Sequence, residues 1–260
     1  MQSPEWPAFS VGAAVVAVVL AAGASSDAKR EAAQSQTPSG TFFGASADGR
    51  AWLVFVDPAR GWGSLYIPPQ AHELCGLTND SGRVVLQWAP GYRHMQYGFE
   101  GRRIASDLVG EMIGTPGARE DNPVNDSARL RRVSDPPSEK DVGRSGYYSN
   151  ITPRGGEYGG MEFLFLDVPQ QLVALVTFYE GSAGPPWAAQ DLAARGDTLR
   201  FRIHREGRDD TFEVVFQNRT ALLWSTTLGL PRQRLNKRAT VAELAHLTWK
   251  PGCPDSLRVN

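Results

Sequence analysis

The stretch EYGGMEFLFLDVPQQLVALVTFYEG, residues 157–181, contains two apolar runs joined by a polar turn at residues 169–171. Runs of this length, rich in aromatic and β-branched residues and separated by a turn, predict a β-hairpin. Phe163 and Phe165 alternate with Leu164, so both faces of the hairpin are apolar and both should be buried. We expect one face in a barrel or sandwich core. The other should meet the C-terminal helix, the other half of the chain or a partner, with coverage by the chain itself favoured.

Elsewhere the sequence alternates apolar and polar residues, as do antiparallel strands with one core face and one solvent face. Leu199, Phe201 and Ile203 alternate with arginines, and the pattern returns at 212–216 after a polar, glycine-containing loop. The 27 glycines and 18 prolines favour many turns and short strands. The sequence predicts an all-β fold: an antiparallel meander barrel or sandwich built from two similar repeats, with one short C-terminal helix.

The helix is predicted near the end of the chain, where Thr240-Val-Ala-Glu243 forms a capping box. Its apolar residues, Val241, Leu244, Ala245 and Leu247, fall on one stripe that should pack on the outside or end of a sheet. Six segments are predicted in all: a signal peptide at 1–24, a flexible tether at 25–39, β repeat 1 at 40–114, a linker or long surface loop at 115–145, β repeat 2 at 146–238, and a C-terminal helix and tail at 239–260.

The two β-rich halves echo one another. Each opens with a glycine followed by aromatic residues, Gly40-Thr-Phe42 and Gly146-Tyr-Tyr148, and matching elements then follow in the same order. A meander that opens with Gly-x-aromatic resembles, at the level of fold, the lipocalin and avidin class of calycin-like barrels. Phe42 and Tyr148 stand where that class has tryptophan. The resemblance implies a barrel with a pocket for a small ligand, and it implies nothing about the ligand's identity.

The N-terminus has the form of a secretory signal. A short apolar core, VGAAVVAVVLAA at 11–22, leads into the small-x-small site Ala22-Gly-Ala24. The apolar stretch is short for crossing a bilayer, which takes about 20 residues. Glu5 precedes it and the first basic residue is Lys29, so an uncleaved anchor or a cytosolic segment stays as an alternative. Cleavage after Ala24 predicts a periplasmic or secreted protein without a membrane span.

Predicted export determines how the two cysteines are interpreted. In an oxidising compartment Cys75 and Cys253 predict a disulfide that ties the tail to the first half of the chain, the alternative being two separate thiols. The cysteines and the four histidines lack zinc-ligand spacing. We therefore predict no metal site and no cofactor.

Charge and motifs argue against several classes of function. Lys and Arg number 27 against 28 Asp and Glu, without the basic run that a nucleic-acid partner requires. The chain contains no Gly-x-Ser-x-Gly, no P-loop and no His-Glu-x-x-His, so no catalytic residue is predicted. The enzymatic alternative is a hydrolase that uses Glu100 and Glu180, each followed by glycine, in a cleft between the repeats.

Aromatic residues near predicted strand ends carry the binding hypothesis. Trp88, Tyr97, Tyr179 and Trp187 offer flat apolar walls with a polar handle, although core packing also accounts for such rings. The Ala- and Arg-rich composition is typical of bacterial proteins. We expect an exported, non-enzymatic binding module for a small apolar or amphipathic ligand or an envelope partner. The alternatives are the hydrolase and a structural or inhibitory envelope protein.

Overall fold

A computed structural model describes residues 37–67, 70–89, 97–114, 125–137, 143–154, 157–169, 171–246 and Cys253. The predicted signal peptide lies outside these residues, as does the tether up to residue 36. The described residues form two closed antiparallel barrels of eight strands each, with a short helix after the second. The predicted all-β class is confirmed, and the resemblance to barrel proteins is confirmed at this coarse level.

Barrel 1 is an up-and-down meander in which each strand pairs with the next and the last pairs with the first. A 3₁₀ turn at Pro58–Arg60 joins its second and third strands. The strands are β1 (Gly40–Ala45), β2 (Ala51–Asp57), β3 (Trp62–Ile67), β4 (Gln70–Asp80), β5 (Arg83–Trp88), β6 (Tyr97–Ile104), β7 (Asp107–Ile113) and β8 (Asp126–Ser134).

Barrel 2 repeats this order, apart from a small additional strand, β10, that pairs only with β11. β9 lies between β11 and β17 and closes the barrel. The strands are β9 (Gly146–Ser149), β10 (Thr152–Arg154), β11 (Glu157–Val168), β12 (Gln171–Ala183), β13 (Trp187–Arg195), β14 (Thr198–Arg205), β15 (Arg208–Gln217), β16 (Thr220–Ser225) and β17 (Leu230–Ala239).

Both barrels close at the glycine that begins their first strand. A β-carbon at Gly40 would lie 2.7 Å from the Ser134 carbonyl oxygen, and one at Gly146 would lie 2.8 Å from the Ala239 carbonyl oxygen. Each of these oxygens belongs to the last strand of its barrel. A side chain at either glycine would push the closing strands apart, which accounts physically for the glycine that opens each half.

The last strand of barrel 1 lies inside the stretch for which the sequence predicted a linker or long surface loop. In β8 (Asp126–Ser134), Ala128 and Leu130 are buried in barrel 1 and alternate with Arg129 and Arg131. Two inward apolar residues are enough to complete the core of barrel 1, because the other seven strands supply most of it. The surrounding Pro-, Asp- and Arg-rich composition hides so short a pattern.

The hairpin β11–β12 is buried on both faces, and the chain's own elements cover it, as expected. Phe163 and Phe165 point into the core of barrel 2, whereas Leu164 and Leu166 point outward against barrel 1. We call the apolar cluster between the barrels the interbarrel core. Its members are Phe43, Ala51, Leu53, Phe55, Tyr66, Tyr147, Leu164, Leu166, Val173, Leu175, Ala188, Ala239, Val241, Leu244 and Ala245.

Strand β2 mirrors the hairpin from the other side. Trp52 and Val54 face the interior of barrel 1, whereas Leu53 and Phe55 join the interbarrel core. Every residue of β2 is buried. Each barrel therefore contributes a wall whose outer face is as apolar as its inner face, and the two walls bury one another.

Backbone hydrogen bonds connect the barrels as well. The Ala51 amide donates to the Pro186 carbonyl at 2.8 Å, and the Ala188 amide donates to the Gly49 carbonyl at 2.9 Å. Gly49 has a φ of +91°, and a β-carbon there would lie 2.1 Å from the His204 carbonyl oxygen. The turn between β1 and β2 thus fits against barrel 2 only because residue 49 has no side chain.

Helix α1 (Val241–His246) covers one end of the interbarrel core. Its capping box is present: the Thr240 amide donates to the Glu243 carboxylate at 2.7 Å, and the Glu243 amide donates to Thr240 Oγ1 at 3.1 Å. Ser64 of β3 donates from Oγ to the Ala245 carbonyl at 2.8 Å, fixing the helix to barrel 1. In the part of the chain that the structure describes, no helix has the length and apolar character needed to cross a bilayer.

We expect Gly49→Ala to lower the free energy of unfolding by about 3 kcal/mol, because it adds a steric clash to an unfavourable backbone conformation. The matched control is Gly229→Ala, where φ is +63° but no atom lies within 4 Å of the added carbon. The control should cost about 1 kcal/mol. Urea unfolding measures both values, and equal losses would contradict the close approach of the two barrels at Gly49.

Candidate functional site

The wall of barrel 1 opens between β3 and β4. These strands pair from Ile67 and Gln70 as far as Ser64 and Glu73, where their ladder ends. Beyond this point β3 continues to pair with β2, and β4 follows β5 after a register shift between Leu74 and Gly76. A gap results on the outside of the barrel, which we call the lateral slit.

The lateral slit has the size of a small-molecule pocket and a partly apolar lining. Its volume is about 680 Å³, within the range of sites for small molecules. Leu74 and Leu77 also pack against the core of barrel 1, so the slit reaches the apolar interior. Glu73 is the charged side chain among the described lining residues. The lining consists of Val56, Pro58, Gly61, Trp62, Glu73, Leu74, Cys75, Gly76, Leu77 and Cys253.

Trp62 lies on the rim of the slit with a buried donor that lacks an acceptor. Its indole ring packs against the His246 ring at a centroid distance of 4.4 Å. The Nε1 atom is buried and has no hydrogen-bond partner within the described residues. An unpaired buried donor costs about 1–3 kcal/mol, so a ligand's acceptor that met this N–H after a small turn of the ring would be stabilised there.

The predicted disulfide is present and borders the slit. Cys75 lies on β4 at the lip, and its partner Cys253 also lines the opening, with 5.2 Å between the two α-carbons. The bond joins residues 178 positions apart in the chain. It therefore holds Cys253 beside the slit as well as closing a long loop.

Two of the four predicted ligand-binding residues lie together inside barrel 1. Trp88 and Tyr97 are paired across β5 and β6, and both are buried. The Tyr97 ring meets the His72 ring edge-on at 4.9 Å, and burial lowers the pKa of that histidine. Trp88 pairs across β4 and β5 with Leu74, which forms part of the slit's lining.

The other two predicted residues lie in barrel 2 and do not join that group. Trp187 is buried in the core of barrel 2 and forms a β-bridge with Arg50. Tyr179 lies on the outward face of β12 beside the buried Glu162. The four residues thus occupy three places rather than one, and a ligand role for them stays a prediction.

The carboxylates of the hydrolase alternative are also separate. Glu100 is exposed on barrel 1 and forms an ion pair with Arg83 at 2.6 Å. Glu180 is exposed on barrel 2, opposite Gly159 in the hairpin. No contact within the described residues joins the two carboxylates, so the structure provides no acid–base pair at this place.

The interior of barrel 2 is filled by stacked rings. Phe163 and Phe201 stack at 5.7 Å, and Phe201 and Phe212 stack at 5.5 Å. Arginines cover the core at two places: Arg144 lies 5.7 Å from the Phe216 ring, and Arg205 lies 5.0 Å from the Phe178 ring. These cation–π contacts leave the rings little free surface. A ligand site inside barrel 2 is therefore disfavoured.

A buried carboxylate lies where the barrels meet. Glu162 of β11 is 1% exposed, and Tyr66 of β3 donates to it from Oη at 3.2 Å. Tyr147 of β9 donates to the other carboxylate oxygen. The Tyr179 hydroxyl is buried and interacts electrostatically with Glu162, and within the described residues no partner lies at hydrogen-bonding geometry to it. We call these four residues the tyrosine–carboxylate cluster.

The cluster changes the acidity of its members. Burial raises the pKa of Glu162 to about 7, and hydrogen bonds from the tyrosine hydroxyls oppose part of that rise. Burial and the neighbouring carboxylate raise the pKa of Tyr66, Tyr147 and Tyr179. Sequence reasoning missed Glu162. The available signal was a single acidic residue between Met161 and Phe163, in a run whose two faces were both expected to be buried.

Replacing both cysteines, as Cys75→Ala with Cys253→Ala, should lower the free energy of unfolding by up to about 5 kcal/mol, because the unfolded chain loses a long closed loop. The measurement is urea unfolding, with the reduced wild type as the matched comparison. Both forms should lose the same amount. A double variant as stable as the oxidised wild type would contradict a stabilising role for the bond.

No family model, no curated protein and no solved structure matches this chain.

Proposed function

We propose that the protein is an exported, non-enzymatic binding module that takes a small amphipathic ligand in the lateral slit. One observation carries the proposal: β3 and β4 separate beside Leu74 and Leu77, next to the buried indole N–H of Trp62, which has no partner among the described residues. A well-formed apolar pocket with a few polar groups at its edge is the usual form of a small-molecule site.

The chemistry of the slit favours a particular class of ligand. Leu74 and Leu77 would contact an apolar body, and the buried Nε1 of Trp62 would donate to an acceptor on it after a small turn of the ring. Glu73 is the charged group in the described lining, where no basic side chain occurs. An anion would meet a carboxylate without a cation to balance it. The ligand is therefore neutral or cationic at its polar end and carries a carbonyl or hydroxyl oxygen.

Export is supported by the disulfide between Cys75 and Cys253, since such bonds persist in oxidising compartments. The periplasm or the cell exterior is the proposed location, reached through the signal peptide at 1–24. Two meanders of the same strand order, each opening at a glycine, support an internal duplication and a calycin-like origin. This likeness implies a pocket for a small ligand, and the proposal adds the chemical class of that ligand.

The other candidate functions have less support in the described residues. The hydrolase would need Glu100 and Glu180 together, and they lie on separate barrels. An envelope protein that docks through an apolar patch would need exposed hydrophobic side chains. The large ones in the described part are Ile104 and Tyr158. Neither the separated glutamates nor these two exposed side chains form a site comparable with the slit.

Nile red, a neutral amphipathic dye with a carbonyl acceptor, tests the slit directly. We expect the purified protein to bind it with a rise in dye fluorescence, and Trp62→Phe to weaken binding about five- to tenfold by removing one donor. Leu77→Glu should abolish binding, because it places a charge on the apolar lining.

The matched control is Trp224→Phe, a change on β16 of barrel 2, where Arg232 covers the ring. It should leave the dye's affinity unchanged. Equal affinity in the wild type, Trp62→Phe and Leu77→Glu would overturn the proposed site, and so would an absence of dye binding by the wild type.

A further inference from the structure

Glu162 is placed where only the docked barrels can surround it. Its own strand, β11, belongs to barrel 2, as do Tyr147 and Tyr179. Tyr66 comes from β3 of barrel 1 and supplies the hydrogen bond that crosses the junction. With barrel 1 removed, the carboxyl group would lose that donor and the apolar wall around it. Burial of this acid is therefore a property of the junction itself.

The groups that face Glu162 supply hydroxyls rather than positive charge. Tyr66, Tyr147 and Tyr179 surround it, from β3, β9 and β12. Its strand neighbours in register are Ser149 of β9 and Thr177 of β12, both buried. From β17, Arg238 acts electrostatically on Tyr147. Within the described residues no basic side chain pairs with Glu162, so an ionised carboxylate there is poorly compensated.

We propose that Glu162 is a proton-linked latch between the two barrels: its protonated carboxyl group holds the junction closed, and ionisation loosens it. The latch goes beyond ligand binding and does not depend on it, because it involves the junction rather than the slit. It makes the coupling of the barrels respond to mild acidity, a condition that exported proteins meet outside the cytosol.

The sign of the effect follows from the two states of the carboxyl group. In an open junction the group is solvated and has its ordinary pKa of 4.5, whereas the closed junction raises the pKa to about 7. A raised acid pKa means that the closed state binds the proton more tightly. Its stabilisation is fully present below pH 4.5 and is lost as the pH rises through about 7. The tyrosines have raised pKa values and stay protonated across this window.

Hydrogen exchange at the junction measures the latch in the full-length protein. The amides of Ala51 and Ala188 each donate across the barrels, so their protection reports junction opening. After correction for intrinsic exchange, we expect wild-type protection to fall on the order of 50-fold between pH 5 and pH 8. Glu162→Gln, which keeps the shape and cannot ionise, should remove most of that fall.

The matched control is Glu206→Gln, at an exposed hairpin tip of barrel 2, which should keep the wild-type pH profile. A second variant covers the case in which Glu162→Gln fails to fold. Tyr66→Phe removes a hydroxyl that lowers the pKa of Glu162, so the pH of half-loss should move upward. A merely structural Tyr66 would lower protection at every pH without moving that midpoint.

Two results would overturn the latch. One is a pH profile in Glu162→Gln that matches the wild type. The other is a midpoint in Tyr66→Phe that stays at the wild-type pH. Failure of either kind leaves dye binding at the slit unaffected, so the two proposals are separable.

Discussion

The structure depends on one constraint: the hairpin β11–β12 is apolar on both faces and therefore needs two covers. The stacked phenylalanines of barrel 2 cover its inner face, and β2 of barrel 1 covers its outer face. Neither barrel could leave the other without exposing a large apolar wall to water, which costs about 25 cal/mol per Å². The two barrels are consequently held as one body, with helix α1 closing the end of their shared core.

Strand β3 links the features that we assign to function. Trp62, Ser64 and Tyr66 alternate along it and share its outward face. Trp62 borders the lateral slit, Ser64 anchors helix α1, and Tyr66 reaches the buried Glu162. A single strand therefore contacts the proposed ligand site, the C-terminal helix and the proposed latch.

The sequence predicted the features that depend on local pattern. Period-two alternation identified the strands, two-faced runs identified the shared wall, and the capping box at Thr240 identified the helix. The disulfide was predicted from the expected oxidising compartment rather than from any geometric signal in the sequence. Three features could not be read in this way. β8 has too few apolar residues to stand out from the polar stretch 115–145.

The remaining two features are products of tertiary structure. The lateral slit arises where the pairing of β3 and β4 ends, and register is set by the whole barrel rather than by either strand. The partners of Glu162 come from strands far apart in the chain, so no spacing records them. Trp88 and Tyr97, two of the predicted ligand-binding residues, lie side by side in barrel 1. Their sequence neighbourhoods resemble those of Tyr179 and Trp187, so the sequence could not tell which of the four would lie together.

The most direct test of the shared wall is urea unfolding at pH 5.5, monitored by fluorine NMR of a chain labelled with fluorotryptophan. Trp88 reports on barrel 1 and Trp224 on barrel 2. If the barrels form one cooperative body, both folded signals disappear at the same urea concentration. A barrel that keeps its folded signal after the other has unfolded would contradict the account.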